Sequence, residues 1–351
     1  WGEGSYTFRC ERTGKYMNTR MGQSDKESSE TGWIAAEKDA PFDWFVMEIF
    51  HVLEQGNGMI QLTNRFHSPV EIDEKDFLVS MREGSAAQFR MEIVENGLEK
   101  ACSLVQGKEK VILALGCNSM INAKEEVDRT TIALPPAQEH LLEEIYRINP
   151  NVVLVLFSNY PYAINTAQEK LPAVIWSATG SQDMGTAMAE TLFGNNAPAG
   201  RLNMTWYRSD EQLPDIDDYD IIKGKRTYRY FDGDVLYPFG YGLTYSSFTY
   251  TDFSAAPEDN RKLRVSFCVT NTGDRVSDEV AQIYGTAPAS RVKKPLKQLL
   301  GFRRLKDILP GEIRKAEFMI PIDEFRFYDV ISRTMMVEEG CYRIFVGPSS
   351  A

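Results

Sequence analysis

Residues 125–129 read Glu-Glu-Val-Asp-Arg, three carboxylates and a guanidinium in five positions. A carboxyl group exchanges protons near neutral pH when burial lifts its pKa, so Glu125 and Glu126 are both candidates for acid–base work. Asp128 and Arg129 read as a loop-bracing ion pair, which contributes little if exposed. Arg129 is also placed to approach a ligand. Asn118 and Asn122, just upstream, carry amides that can bind hydroxyl groups or simply make turns. His51, His67 and His140 lack metal-ligand spacing, and neither a metal nor a cofactor is expected.

The elements that must carry this segment alternate strand and helix. Lys110-Val-Ile-Leu-Ala-Leu-Gly116 is an apolar run ending in Gly, expected as a strand buried on both faces. The acidic segment would then leave the carboxyl end of a parallel strand, where α/β proteins place ligands. Helical spacing from Ala137 to Ile148 puts Leu141, Leu142, Ile145 and Ile148 on one face, stopped by Asn149-Pro150. Val152-Val-Leu-Val-Leu-Phe157 and Ala173-Val-Ile-Trp176 read as further strands, and Gln182 to Phe193 as a helix ending at Gly194. This βαβαβα order implies a parallel sheet with right-handed crossovers. Gly180 and Gly185 fit neither GxGxxG nor a P-loop, and close helix–sheet packing is the expectation for them.

Residues 1–95 look all-β, with runs such as Tyr6-Thr-Phe-Arg-Cys10 between Gly, Asn, Asp and Ser clusters. Phe45-Val-Met-Glu-Ile49 recurs 44 positions on as Phe89-Arg-Met-Glu-Ile93, which suggests repeated β units. Each copy follows an acidic-apolar strand, Trp33-Ile-Ala-Ala-Glu37 or Phe77-Leu-Val-Ser80. Residues 247–351 return to short alternating strands such as Leu263–Val269 and Glu279–Tyr284, as in a β-sandwich. Between the α/β and sandwich parts lie Thr227-Tyr-Arg-Tyr-Phe-Asp232 and Leu236-Tyr-Pro-Phe-Gly-Tyr-Gly-Leu-Thr-Tyr245. There Gly240 and Gly242 permit turns that a Cβ would forbid. Tyr228, Tyr230, Phe231 and, in the α/β part, Trp176 can stack on a ligand or pack a domain junction.

The chain has 351 residues, 43% apolar and 25% charged, consistent with two or three globular domains. No apolar run reaches the length of about 18 residues that a membrane span needs. A formal charge of −11 argues against nucleic acid as a partner. Five widely spaced cysteines without a CxxC pair are expected as buried thiols, which favours a reducing, cytoplasmic compartment. The first residue is Trp1, and the chain reads as a piece of something longer.

From Val111 to Ser350 the chain resembles the carboxy-terminal half of glycoside hydrolase family 3, the β-glucosidases and β-xylosidases. The resemblance rests on Glu125-Glu-Val-Asp-Arg129, Leu134-Pro-Pro-Ala-Gln138, Gly180-Ser-Gln-Asp-Met-Gly185, Leu192-Phe-Gly194, Pro198-Ala-Gly-Arg-Leu202 and the aromatic–glycine stretch. Val269-Thr-Asn-Thr-Gly273, Pro295-Leu-Lys-Gln-Leu-Leu-Gly-Phe302 and Pro310-Gly-Glu312 resemble that family's fibronectin type III-like domain. Gly14-Lys-Tyr-Met17 is similar to a strand of fascin-like β-trefoils, of which two of three units are visible. The expected architecture is multidomain, α/β plus all-β. A β-trefoil-like insertion at 1–95 precedes a partial parallel α/β sandwich at 96–246 and a fibronectin type III-like β-sandwich at 247–351.

The resemblance implies a retaining exo-acting β-glycosidase that works with two carboxyl groups, one ionised nucleophile and one proton donor. It assigns the acid/base role to Glu125, with Glu126 as the fallback, and offers Arg129 and Asn122 as sugar-binding residues. Where the family's loop usually reads Glu-Gly-Tyr-Asp-Arg, this one has Glu126 and Val127. The nucleophilic Asp belongs to a TIM-type barrel that this sequence does not contain, so the barrel must come from upstream or from a companion chain. The implied partner is a β-linked oligosaccharide or glycoside, and the motifs lean towards xylosidase-like bacterial members. A homo-oligomer is compatible with this reading. The alternative is a non-catalytic carbohydrate-binding or domain-assembly module.

Overall fold

The computed structural model describes residues 4–20, 32–41, 46–75, 77–80, 84–117, 129–180, 182–259 and 261–351. These divide into two compact units. Trp1–Tyr160 with Ile164–Thr179 form one, and Pro161–Ala163 with Gly180–Ala351 form the other.

The first unit begins with eight strands: β1 (Ser5–Thr7), β2 (Tyr16–Thr19), β3 (Gly32–Lys38), β4 (Ile49–Gly56), β5 (Met59–Asn64), β6 (Val70–Ile72), β7 (Leu78–Ser80) and β8 (Gln88–Arg90). They form two antiparallel four-stranded sheets, ordered β1-β4-β5-β8 and β2-β3-β7-β6. The 44-residue offset seen in the sequence recurs in this strand plan. β4 begins at Ile49, 44 positions after β1 begins at Ser5, and β5 begins at Met59, 43 positions after β2 begins at Tyr16. The turns before β2 and β5 each hold a left-handed glycine, Gly14 (φ 65°) and Gly58 (φ 74°), also 44 apart. Offset-related Phe8 and Val52, and Ile34 and Leu78, pack on one core of Phe50, Ile60, Leu62 and Val70. The Phe-x-Met-Glu-Ile copies themselves are not equivalent. Glu48 is buried just before β4, whereas Glu92 is exposed and Ile93 lies past the end of β8.

The same unit continues with α1 (Gly97–Val105), β9 (Val111–Gly116), α2 (Pro136–Ile148), β10 (Val152–Phe157), α3 (Asn165–Lys170) and β11 (Ala173–Ser177). The strands form a parallel sheet in the order β11-β10-β9. Only the central β10 is buried on both faces. In β9 Ile112 is 56% exposed and Ala114 is exposed, so the expectation of two buried faces fails for that strand. Its position at the sheet edge is the reason: α1 and α2 cover the face bearing Val111 and Leu113, together with Val105, Ile145 and Val152. Asn96 caps α1 by accepting from the Leu98 and Glu99 N–H groups.

The second unit opens with α4 (Met184–Leu192), whose following Gly194 takes the left-handed conformation of a helix C-terminus (φ 78°). A mostly irregular stretch with one turn of helix, α5 (Thr227–Tyr230), leads into the sandwich. Its strands are β12 (Phe248–Asp259), β13 (Lys262–Asn271), β14 (Ser277–Thr286), β15 (Gln298–Ile308), β16 (Ile313–Pro321), β17 (Phe327–Asp329), β18 (Thr334–Met336) and β19 (Arg343–Gly347). Sheets β12-β13-β16 and β15-β14-β19 face each other over Val265, Phe267, Val269, Ala281, Ile283 and Phe318. Alternation along β13 follows from one face meeting that core. The molecule is therefore a multidomain assembly of α/β and all-β parts.

All five cysteines are free, but none is fully buried: Cys341 is exposed and the other four are half-buried, against the expectation of buried thiols. An added Cβ at Gly185 would meet nothing within 4 Å, so close packing does not account for that glycine.

Candidate active site

The carboxyl ends of the three parallel strands lie level, with Phe157 in register with both Gly116 and Ser177. Gly116 adopts φ 151°, and a Cβ there would sit 1.9 Å from the Phe157 carbonyl oxygen. Only glycine permits that approach. Cys117 N–H then donates to the same carbonyl at 3.0 Å, extending the ladder by one residue.

Gln138, two residues inside α2, reaches back across 22 positions to this strand end. Its Nε2 donates to the Gly116 carbonyl at 2.7 Å, and its Oε1 accepts from the Gly116 N–H at 3.0 Å. One carboxamide thus satisfies both backbone groups of Gly116, at the edge of the sheet among the described residues.

Beyond β10 the chain turns polar. The Ser158 hydroxyl donates to the Tyr160 carbonyl at 2.7 Å and accepts from the Trp176 indole N–H at 3.0 Å. Trp176 is held in part by this bond. Asn159 Oδ1 accepts from both the N–H (2.9 Å) and the hydroxyl (2.6 Å) of Thr179, tying the ends of β10 and β11 together. The Arg129 guanidinium lies 4.0 Å from the centre of the Tyr160 ring, a cation–π stack at the same edge.

Of the residues singled out from the sequence, Arg129 is therefore placed at the strand ends. Glu125, Glu126, Asn122, Asn118 and Asp128 lie outside the described residues, and with them the Asp128–Arg129 pair. Sequence reasoning assigned no role to Gln138, Tyr160 or Asn159. The available signal was a polar run directly after an apolar strand and an amide in a helix's first turn.

The aromatic–glycine stretch packs within the second unit. Tyr228 stacks on Phe239 (centroids 4.2 Å apart), meets Tyr284 edge-on and accepts the Leu299 N–H. Phe231 meets Tyr207 edge-on. Gly240 has φ 80°, and a Cβ there would lie 2.1 Å from Gln282 Oε1. Gly242 needs no unusual φ; its constraint is the Gly200 carbonyl, 2.3 Å from where a Cβ would be. Burial lifts the Tyr237 phenol to about 12.

Polar side chains at the carboxyl ends of a parallel sheet, with a β-sandwich following in the chain, are compatible with a carbohydrate-active or a nucleotide-type α/β protein with an accessory β module. Comparison with known proteins decides between these. Residues 15–245 match the Glycosyl hydrolase family 3 C-terminal domain, and residues 279–350 match the Fibronectin type III-like domain. The chain belongs to glycosyl hydrolase family 3.

It is 38% identical to a xylan 1,4-β-xylosidase of Xylanibacter ruminicola over 64% of this chain and 25% of that protein. It is 33% identical to a β-xylosidase of Formosa agariphila over 73% of this chain and 36% of that protein. The β-glucosidase of Kluyveromyces marxianus, solved in complex with glucose, superposes with a TM-score of 0.67 at 27% identity, over 78% of this chain and 34% of that one. The chain thus spans about a quarter to just over a third of the length of these relatives.

Proposed function

We infer that this chain is the carboxy-terminal part of a retaining, exo-acting β-glycosidase that removes terminal non-reducing β-linked sugars. The observation that carries the reading is positional. The segment with Glu125 leaves the carboxyl end of β9, inside the stretch matched by the family model. β-Xylosides are the first substrate class to test, because the two bacterial relatives above are named as β-xylosidases; β-glucosides are the second.

In this reading Glu125 is the acid/base, and Glu126 stands in if Glu125 is silent. The nucleophilic Asp sits in a TIM-type barrel outside this chain. Glycosylation needs a protonated carboxyl to give the leaving oxygen its proton while the ionised Asp attacks C1. In deglycosylation the same group, now ionised, takes a proton from water. Asn122 and Arg129 are the proposed sugar-binding side chains. The stack of Arg129 on Tyr160 favours bracing as that arginine's first task.

The proposed domains are 1–95, 96–246 and 247–351. The 43- to 44-residue spacing of the strand starts and the paired turn glycines support a trefoil-type origin for the first, with two repeat units present. Proton NMR of a xyloside digest by the full-length enzyme tests the mechanism. The β-anomer of the released sugar should appear first, and first appearance of the α-anomer would exclude retention.

A further inference from the structure

We propose that the loop at 213–225 is the surface on which the upstream, barrel-bearing part of the enzyme docks. The proposal rests on the reading that the barrel lies outside this chain. The loop belongs wholly to the second unit. It exposes Ile216 (74%), Tyr219 (84%), Ile221 (51%) and Ile222 (42%), four large apolar side chains in seven positions. Exposed apolar residues scattered singly are ordinary, whereas a group gathered on one loop marks an interaction surface.

The loop is held in this form from within. Asp215 Oδ1 accepts the Asp217 N–H at 2.9 Å, and Asp218 Oδ1 accepts the Asp220 N–H at 3.0 Å. Asp220 Oδ1 accepts the N–H groups of Ile222 and Lys223, at 3.0 and 2.9 Å. Arg226 Nη2 donates to the carbonyls of Asp215, at 2.8 Å, and Asp218. The Gly224 N–H donates to the Asp220 carbonyl at 2.8 Å, and a Cβ on Gly224 would come within 2.9 Å of that oxygen and 3.3 Å of Pro214. The base of the loop is therefore tightly closed. Lys225 (φ 49°) and the β-branched Thr227 (φ 64°) take left-handed conformations, which persist only where their surroundings impose them. A backbone braced at so many points presents its apolar side chains as a preformed face, which loses little freedom on docking.

The chemistry of that face selects its occupant. Asp215, Asp217, Asp218 and Asp220 are interleaved with the apolar residues, so the fitting partner is apolar with a basic rim. A second copy does not meet that description, because a two-fold interface sets a patch against itself and would bring these acids together. An anionic lipid surface repels them too. The rest of the enzyme remains. The bacterial relatives extend well beyond the matched span, which is 25% and 36% of their length, and the loop lies within the 15–245 stretch that matches the family model. Tethering in one chain gives the docking partner a high local concentration, so a face this small is enough.

The test is photo-crosslinking of the full-length enzyme, as Tyr219→p-benzoylphenylalanine and, separately, Ile216→p-benzoylphenylalanine. Both side chains are exposed, so neither replacement disturbs a packed core. Irradiation and mass spectrometry should give, from both positions, a dominant crosslink to a peptide upstream of Trp1 in the same chain. Its yield should be unchanged over about a 100-fold dilution, as an intramolecular contact requires. A crosslinked dimer whose yield falls on dilution would make a second copy the occupant. Crosslinks confined to residues 1–351, or none, would leave the loop without this partner. Each of these results overturns the proposal. Crosslinking needs no turnover, so it fails separately from the reading it rests on. Hydrolysis of β-xylosides without upstream crosslinks removes the docking surface alone. Upstream crosslinks in a protein that hydrolyses no β-glycoside remove the glycosidase reading alone.

Discussion

Arg201 and Glu279 meet at 2.7 Å with 8% and 3% of their side chains exposed, joining the irregular stretch before the sandwich to strand β14. The other carboxylate oxygen of Glu279 accepts the Tyr250 hydroxyl at 2.6 Å. Both oxygens are used, which is what keeps a buried carboxylate tolerable. Removing one partner strands the other charge in a dry site. Arg201→Met or Glu279→Ala should therefore each destabilise the second unit by about 3–5 kcal/mol, read from urea unfolding followed by circular dichroism. The double replacement should cost less than the sum of the singles. Full additivity would mean that the pair is not energetically coupled.

The same network predicts an alkaline limb of stability. Burial first, then the Glu279 charge, pushes the Tyr250 phenol well above its ordinary value of 10. Tyr237 is lifted to about 12, by burial and then by Tyr241. Both groups are raised in the folded state, so the unfolded chain loses these protons first as pH rises. Their contribution is complete below pH 10 and declines above it. Each such tyrosine adds a slope of up to about 1.4 kcal/mol per pH unit between its unfolded and folded pKa. Tyr250→Phe should lower stability at neutral pH, through the lost hydrogen bond, yet flatten the decline above pH 10. An unchanged alkaline slope would show that Tyr250 does not contribute to it.

Two glycines should resist replacement for different reasons. Gly240→Ala meets both a left-handed φ of 80° and the Gln282 carboxamide 2.1 Å away. Left-handed geometry alone costs about 1–2 kcal/mol, so a Tm drop of several degrees is expected. Gly116→Ala would press a methyl group against the Phe157 carbonyl at 1.9 Å and part β9 from β10 at its carboxyl end. Hydrogen exchange should then speed up at Cys117, whose N–H bonds that carbonyl, and remain slow at the centre of β10. Unchanged protection at Cys117 would mean that the strand end absorbs the methyl group.

Periodicity reached the elements that bury a clear face. β10, α2 and the alternating strands β13 and β14 are where the apolar spacing puts them. It misjudged β9, because an apolar run says nothing about which strand lies at a sheet edge, and Ile112 is largely exposed. The helices α1 and α3 are nine and six residues long, too short for a period to stand out, although Asn96 marks the start of the first. The Gln138–Gly116 grip joins residues 22 positions apart through backbone atoms, and backbone partners leave no mark on residue choice at the receiving end. The Arg129–Tyr160 stack was hidden for a related reason. Arg129 invited pairing with the acid beside it, while its aromatic partner stands beyond the next helix and strand.

The central claim is that Glu125 donates and then recovers the catalytic proton, and chemical rescue tests it most directly. Glu125→Ala in the full-length enzyme should leave dinitrophenyl xyloside able to form the glycosyl-enzyme but slow its hydrolysis by on the order of 10²–10⁴. Added azide, which needs no general base, should restore turnover and yield the β-xylosyl azide. Wild-type turnover by Glu125→Ala without azide, or a slow variant that azide does not accelerate, would contradict that role.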